Sequence, residues 1–296
     1  MITAAMVKEL RETTGAGMLD CQKALKETDG NMEKAIEFLR EKGLATAAKK
    51  AGRIASEGMV CAYLSDDKKV GTLLEVNAET DFVAKNDEFK SFVNNVAKIV
   101  AEQNPADVEA LKELKYDDAQ TVNEKLTALI AKIGENMSIR RFTRVAGNVC
   151  SYVHGEGKIG VLVEAESALT EDGYSAARDV AMQVAAINPL YVSKDVVPAD
   201  DVEKEKAVIV AQIKEDPKNA NKPDAIIEKM VGGKINKFYE QNCLLQQEFV
   251  KDSEFKVEAY LASKGVKLLN FVRFEKGEGL QKKEENFADE VMKQIK

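Results

Sequence analysis

Gly58-Met-Val-Cys-Ala-Tyr63 and, after a turn, Gly71-Thr-Leu-Leu-Glu75 return 89 positions later as Gly147-Asn-Val-Cys-Ser-Tyr152 and Gly160-Val-Leu-Val-Glu164. The identities that fall in one ungapped register include Gly58, Val60, Cys61, Tyr63, Gly71, Leu73 and Glu75 against Gly147, Val149, Cys150, Tyr152, Gly160, Leu162 and Glu164. Self-similarity at a fixed offset marks a duplicated structural unit. Each copy alternates apolar and polar residues on both sides of a polar turn, Asp66-Asp67-Lys68 in the first and His154-Gly155-Glu156-Gly157 in the second. That pattern predicts a β-hairpin in each. Phe89, Phe92, Val93, Val96 and Val100 then recur at helical spacing, as do Ala177, Val180, Ala181, Val184 and Ala185 after the second copy. The expectation is an α+β fold with two hairpin-plus-helix units, each a sheet covered on one face by helices.

The flanks read as helical. Thr3 can cap a first helix carrying Met6, Val7 and Leu10, and Thr14-Gly-Ala-Gly17 ends it. Met18, Cys21 and Leu25 mark a second helix; Asn31 caps a third that carries Met32, Ala35, Ile36 and Leu39. Ala45–Arg53 is small and basic, a helical or flexible linker. Between the two units, 106–114 and 122–133 are helical, ending near Gly134. Beyond Pro198, Val202, Ala207, Ile209 and Ile213 mark one helix, and Ile226, Ile227, Met230 and Ile235 a return helix. A proline-bearing loop joins them, so an antiparallel, protruding hairpin is expected. Strand-like sequence resumes at Val266–Phe274, and Phe287, Val291 and Ile295 suggest a short closing helix. The expected organisation is a helical module and linker (1–53), a first core subdomain (54–145), a second (146–197 with 241–278), an inserted hairpin (198–240) and a C-terminal module (279–296).

The first unit leaves its second strand through Glu75-Val-Asn-Ala-Glu-Thr-Asp-Phe-Val-Ala-Lys-Asn86, with the next helix expected near Asp87. An aromatic, Phe82, sits beside Asp81 on an acidic connection. Phe82 or Val83 can staple onto the following helix near Phe89, or Phe82 can stand out as an anchor for another protein. Counting on by the same offset, Thr80-Asp81-Phe82 becomes Leu169-Thr170-Glu171, which has no aromatic. The fold of the unit therefore does not require one. His154, at a hairpin turn beside Gly155, has two readings as well: it bonds the turn or faces water, or it reaches toward a partner.

Composition narrows the function classes. Hydrophobic residues make up 45% and charged residues 31% of 296, as in a soluble globular protein. The net charge of −7 disfavours a general grip on nucleic acid. No run of about 18 apolar residues suits a bilayer, and the charged N-terminus does not read as a signal peptide, so the cytoplasm is expected. Cys21, Cys61, Cys150 and Cys243 form no CxxC and read as buried hydrophobes. One histidine rules out multi-histidine metal sites, and neither a phosphate-loop motif nor a serine elbow occurs. Gly232-Gly233-Lys234 reads as a helix break. Asp66-Asp67 and Asp200-Asp201 read as solvated turns and caps. No cofactor, no metal and no covalent catalysis are expected.

Val7-Lys-Glu-Leu-Arg11, Thr14-Gly-Ala-Gly-Met18 with Asp20-Cys21, and Glu75–Asn86 together resemble the two signatures of the bacterial elongation factor Ts family. The likeness continues through Lys132–Asn136, Ile139-Arg-Arg141, His154-Gly155, Ile159–Val163 and Phe271–Gly279, covering nearly the whole chain in order. Ala78, Gln22 and Lys251 depart from residues common in that family. The resemblance implies a guanine-nucleotide exchange factor for elongation factor Tu, binding its GDP-bound and nucleotide-free forms. It implies that the N-terminal module is a ubiquitin-associated-like three-helix bundle docking on the GTPase. It further implies that Thr80, Asp81, Phe82 and Val83 act near the GTPase magnesium site, with Ile133, Gly134, His154, Gly155, Val250 and Lys23 in the same interface. An adaptor built on the helical module is the alternative. The hairpin is open to dimerisation, to contact with the GTPase, or to neither.

Overall fold

The computed structural model describes residues 2–219 and 222–281. It begins with α1 (Ala4–Thr14), α2 (Met18–Glu27) and α3 (Met32–Lys50). Thr3 accepts the Met6 amide at 3.3 Å, Gly15 ends α1 in the left-handed region, and Asn31 accepts the Lys34 amide at 3.0 Å. Leu10, Cys21, Ala24, Leu25 and Ala35 are the buried core of the three helices. Met18, expected on the inner face, is instead exposed beside Leu19. It opens α2 right after the Gly17 N-cap, where the helix start projects beyond the small core. The basic linker takes the helical option: α3 runs on to Lys50 and packs along α7, described below.

The first unit holds β1 (Glu57–Leu64), β2 (Val70–Ala78), α4 (Asp81–Lys85), α5 (Asp87–Gln103), α6 (Val108–Glu113), α7 (Val122–Ile133) and β3 (Met137–Ala146). The second holds β4 (Asn148–His154), β5 (Ile159–Ala165) and α8 (Glu171–Ile187). Both hairpins and both covering helices are where the repeat puts them. Each sheet has a third antiparallel strand, giving the orders β1-β2-β3 and β4-β5-β8, with β8 at Leu268–Glu275. The sequence reading has β8 but lacks β3, whose Arg140, Arg141 and Arg144 interrupt its apolar alternation. Both sheets carry an irregularity at the same repeat position, after Glu75 and after Glu164. In the first, Arg140 is the extra residue between Ile139 and Arg141. A bulge of this kind lets two consecutive side chains share a face, and both arginines reach Glu75, at 2.9 Å and 2.6 Å.

The two sheets meet face to face across a seam made by the repeated residues. Val60, Leu73, Val149, Leu162 and Phe274 are buried there together. A Cβ on Gly71 would lie 2.6 Å from Val149 Cγ1, and one on Gly160 would lie 2.6 Å from Val60 Cγ1. Each unit's glycine thus receives the other unit's valine and leucine. The backbone follows the same two-fold relation: Val60 N–H donates to Gly157 O at 2.8 Å, and Val149 N–H to Lys68 O at 3.0 Å. On the outer faces, α5 and α7 cover one sheet around Phe89, Phe92 and Val96, and α8 covers the other around Val180, Ala181 and Val184.

After α8, α9 (Ala199–Glu215) and α10 (Asp224–Asn242) form the expected antiparallel hairpin, closed on itself by Ile209, Ile213 and Ile235. Gly232-Gly233 does not break a helix: α10 runs through both, with open space where a side chain would stand. A glycine in a helix interior costs only about 1 kcal/mol, which packing against α9 outweighs. A two-stranded ribbon, β6 (Glu248–Phe249) and β7 (Asp252–Lys256), and α11 (Val257–Ser263) precede β8; these short elements are absent from the sequence reading. The closing helix expected around Phe287, Val291 and Ile295 lies outside the described residues. All four cysteines are free and buried.

Candidate partner-binding surface

The connection after β2 is not a loop. It turns helical at Asp81 as the short α4, ahead of the expected helix, which starts at Asp87 as α5. Within α4 the two apolar residues part company. Val83 is 4% exposed and joins the cluster of Phe89 and Val93; Phe82 is 79% exposed. Val83 is therefore the staple, and its burial turns Phe82 outward. Asn86 closes α4 and caps α5, accepting the amides of Glu88 at 2.9 Å and Phe89 at 3.2 Å.

Asp81 pairs with Lys85 one turn on, at 2.7 Å. That bond, assisted by the charges of Lys85 and Lys276, holds the Asp81 carboxyl below the usual carboxylate range. The same bond raises Lys85, and Glu156 adds to the effect. Glu156 lies in the β4–β5 turn, so that turn reaches the electrostatic neighbourhood of α4. Gly157 O, held by Val60 N–H, presses the turn onto β1. His154 ends β4 exposed, its Nδ1 2.9 Å from the Tyr152 hydroxyl, and the carbonyls of His154 and Gly155 both accept the Lys158 amide.

Ile133 and Gly134 end α7, with Gly134 in the left-handed region at φ 87°. The next two residues tie this end to α4 through bonds the sequence reading misses. The Glu135 carboxylate accepts both the Thr80 amide, at 3.0 Å, and the Thr80 hydroxyl, at 2.9 Å. In return the Glu79 carboxylate accepts the Asn136 amide at 2.6 Å. Asn136 Nδ2 donates to Arg53 O at 2.8 Å, and Lys50 Nζ to Gly134 O, which draws in the tail of α3. Thr80, Asp81, Phe82, Ile133 and Gly134 thus share one locality, with the turn of His154 and Gly155 close by.

Two expected residues lie apart. Val250 is exposed on the β6–β7 turn, its amide donating to the buried Gln183 at 3.1 Å, beside a cleft shared with Ile187 and Gln247. Lys23 is exposed on α2. Lys251, a departure from the family pattern, pairs with Asp179 at 2.6 Å. No described bond links Val250 or Lys23 to α4.

Glu75, in β2 ahead of this connection, ties the first sheet to the end of β8. It is fully buried, yet accepts Arg140, Arg141 and, at 2.8 Å, the amide of Gly277 beyond β8. Burial pushes its carboxyl up, but the Gly277 amide and the two guanidiniums outweigh it and hold it below the usual range. Among the described residues no group of His, Cys, Asp or Glu is arranged to hold a metal, and no helix is long and apolar enough to cross a membrane.

Residues 79–278 match the family model described as Elongation factor TS. The chain is similar, at 55% identity, to a protein of Clostridium kluyveri named elongation factor Ts, the alignment covering 100% of this chain and 99% of that relative. Proteins of the same name from Clostridium novyi and Clostridium botulinum are 53% and 51% identical, also over 100% of this chain and 99% of theirs.

Proposed function

The chain belongs to the elongation factor Ts family, and from that premise we propose that it binds elongation factor Tu and promotes release of GDP, with Asp81 and Phe82 as the acting residues. The observation that carries this reading is the exposure of Phe82 on a helix whose neighbouring side chain, Val83, is locked in the core. A large aromatic held outward beside a carboxylate has the makings of an interface anchor. Burying it in a partner supplies roughly 2–3 kcal/mol, equivalent to about two decades in an equilibrium constant.

GDP is held in such a GTPase by phosphate-loop amides and a magnesium ion. A factor that binds the loaded and empty forms alike shifts nothing. It must favour a state in which that site is distorted, and linkage then makes nucleotide and factor weaken each other by the same factor. Phe82 supplies binding energy to such a state, and Asp81 disturbs the order around the metal. Gly134, His154 and Gly155 extend the same surface; Val250 and Lys23 serve as separate contacts, and Met18 and Leu19, exposed at the start of α2, suit docking of the three-helix bundle. In this reading the residue ranges 1–53, 54–145, 146–197 with 241–278, 198–240 and 279–296 act as separate modules. The protein works in the cytoplasm by binding alone, without cofactor, nucleic acid or covalent step.

The test is release of fluorescent GDP from elongation factor Tu. The wild-type chain accelerates it; no acceleration removes the reading. Asp81→Ala loses more of its effect with Mg²⁺ present than in its absence, and equal losses rule out action through the metal.

A further inference from the structure

Residues 79–80 and 135–136 hold each other by two carboxylates that run in opposite directions. Glu79 takes the Asn136 amide, and Glu135 takes the Thr80 amide and hydroxyl. Thr80 is the N-cap of α4, yet its side chain makes no capping bond there. Its hydroxyl is committed to Glu135, so a contact 55 positions away replaces the local cap. A five-residue helix has no stability of its own. Val83 fixes its depth, while the rotation and tilt that aim Phe82 need a second fixed point. Glu135 supplies one at the residue before Asp81.

We propose that Glu135 is the positioning residue for Phe82, setting the pose of α4 rather than touching the partner. The proposal rests on the reading of Asp81-Phe82 as the element that acts on the GTPase. Lys50 and Asn136 bring the end of α3 onto the same residues, so the N-terminal helices and α4 are referenced to one point. Docking of the bundle therefore presents Phe82 at a defined height.

Glu135→Ala removes both acceptors. Glu135→Gln keeps both hydrogen bonds, one of them reversed: its carbonyl accepts the Thr80 amide while its NH₂ donates to the Thr80 hydroxyl, which accepts as readily as it donates. In the GDP-release assay with the full chain, Glu135→Ala lowers the maximal rate about tenfold, a misaimed side chain being enough for such a loss. The half-saturating concentration changes little, because the other contacts remain, and Glu135→Gln recovers most of the rate. Combined with Phe82→Ala, Glu135→Ala costs nothing further, since it acts only through that side chain. Additive losses, an unchanged rate in Glu135→Ala, or no recovery in Glu135→Gln would overturn the assignment. Hydrogen exchange provides an arm that needs no GTPase: Glu135→Ala speeds exchange at the amides of residues 84–86, where α4 closes its own bonds, while the strands keep their protection. Unchanged exchange there sinks the clamp even if the function stands. A wild-type chain without exchange activity sinks the function but leaves that measurement decisive for the clamp.

Discussion

Phe82 and Glu75 show how differently two residues of one short segment are used. Phe82→Ala removes an exposed side chain, so it should slow GDP release by one to two decades, of the order expected from roughly 2–3 kcal/mol of lost burial, while thermal unfolding stays within about 0.5 kcal/mol. Loss of stability with normal release would reverse the roles of Phe82 and Val83. Glu75 is the opposite case. Glu75→Gln should cost roughly 3 kcal/mol at neutral pH by removing the buried counter-charge of Arg140 and Arg141 and turning an amide NH₂ toward a donor. The folded carboxyl titrates below its ordinary value of 4.5, so its stabilisation is in place above that pH and is lost as pH falls through the folded value. Urea unfolding of both proteins between pH 7 and pH 3 should show the gap closing under acid; a constant gap would mean that Glu75 does not titrate with folding. The sequence exposed Phe82 as a question, because an aromatic is out of place on an acidic connection and its repeat partner lacks one. It hid Glu135, a carboxylate after a glycine like many others, whose partner is distant in the chain and so leaves no periodic trace.

At the scale of elements, long periodic segments were readable and short or interrupted ones were not. The helices of Phe89–Val100 and Ala177–Ala185 declared themselves through apolar spacing, whereas α4 spans five residues, too few for a period. The apolar alternation of β3 is interrupted by its arginines, two of which turn to Glu75 at the bulge while Arg144 bonds Ala101 O, so the strand reads as polar chain. Gly232-Gly233 misled for a physical reason: glycine lowers helix propensity, yet α10 is held by α9 and not by propensity. Gly233 stands in open space within that helix. Gly233→Ala should therefore stabilise α10 by roughly 0.5–1 kcal/mol, visible as slower hydrogen exchange along residues 224–242; faster exchange would mean that the hairpin needs a bend there.

Across the whole molecule, the seam between the sheets is where a small change travels furthest. Gly71→Ala and Gly160→Ala each push a methyl group against a valine and a leucine of the opposite unit. Each should destabilise by about 1–3 kcal/mol, the usual cost of overpacking, and by similar amounts, since the two sites are equivalent. Denaturant midpoints of the two variants measure this directly; a harmless change at either site would mean the sheets can part there. The equivalence also explains part of why the repeat was legible. Val60, Leu73 and Gly71 match Val149, Leu162 and Gly160 because each set is the mould for the other. A mould and its cast cannot drift separately, which accounts for these three pairs; Cys61 with Cys150 and Tyr63 with Tyr152 instead hold equivalent places against the covering helices. The chain is in effect a pair of twins joined at the back: what they press together must stay alike, while the free hand of one was at liberty to acquire Phe82.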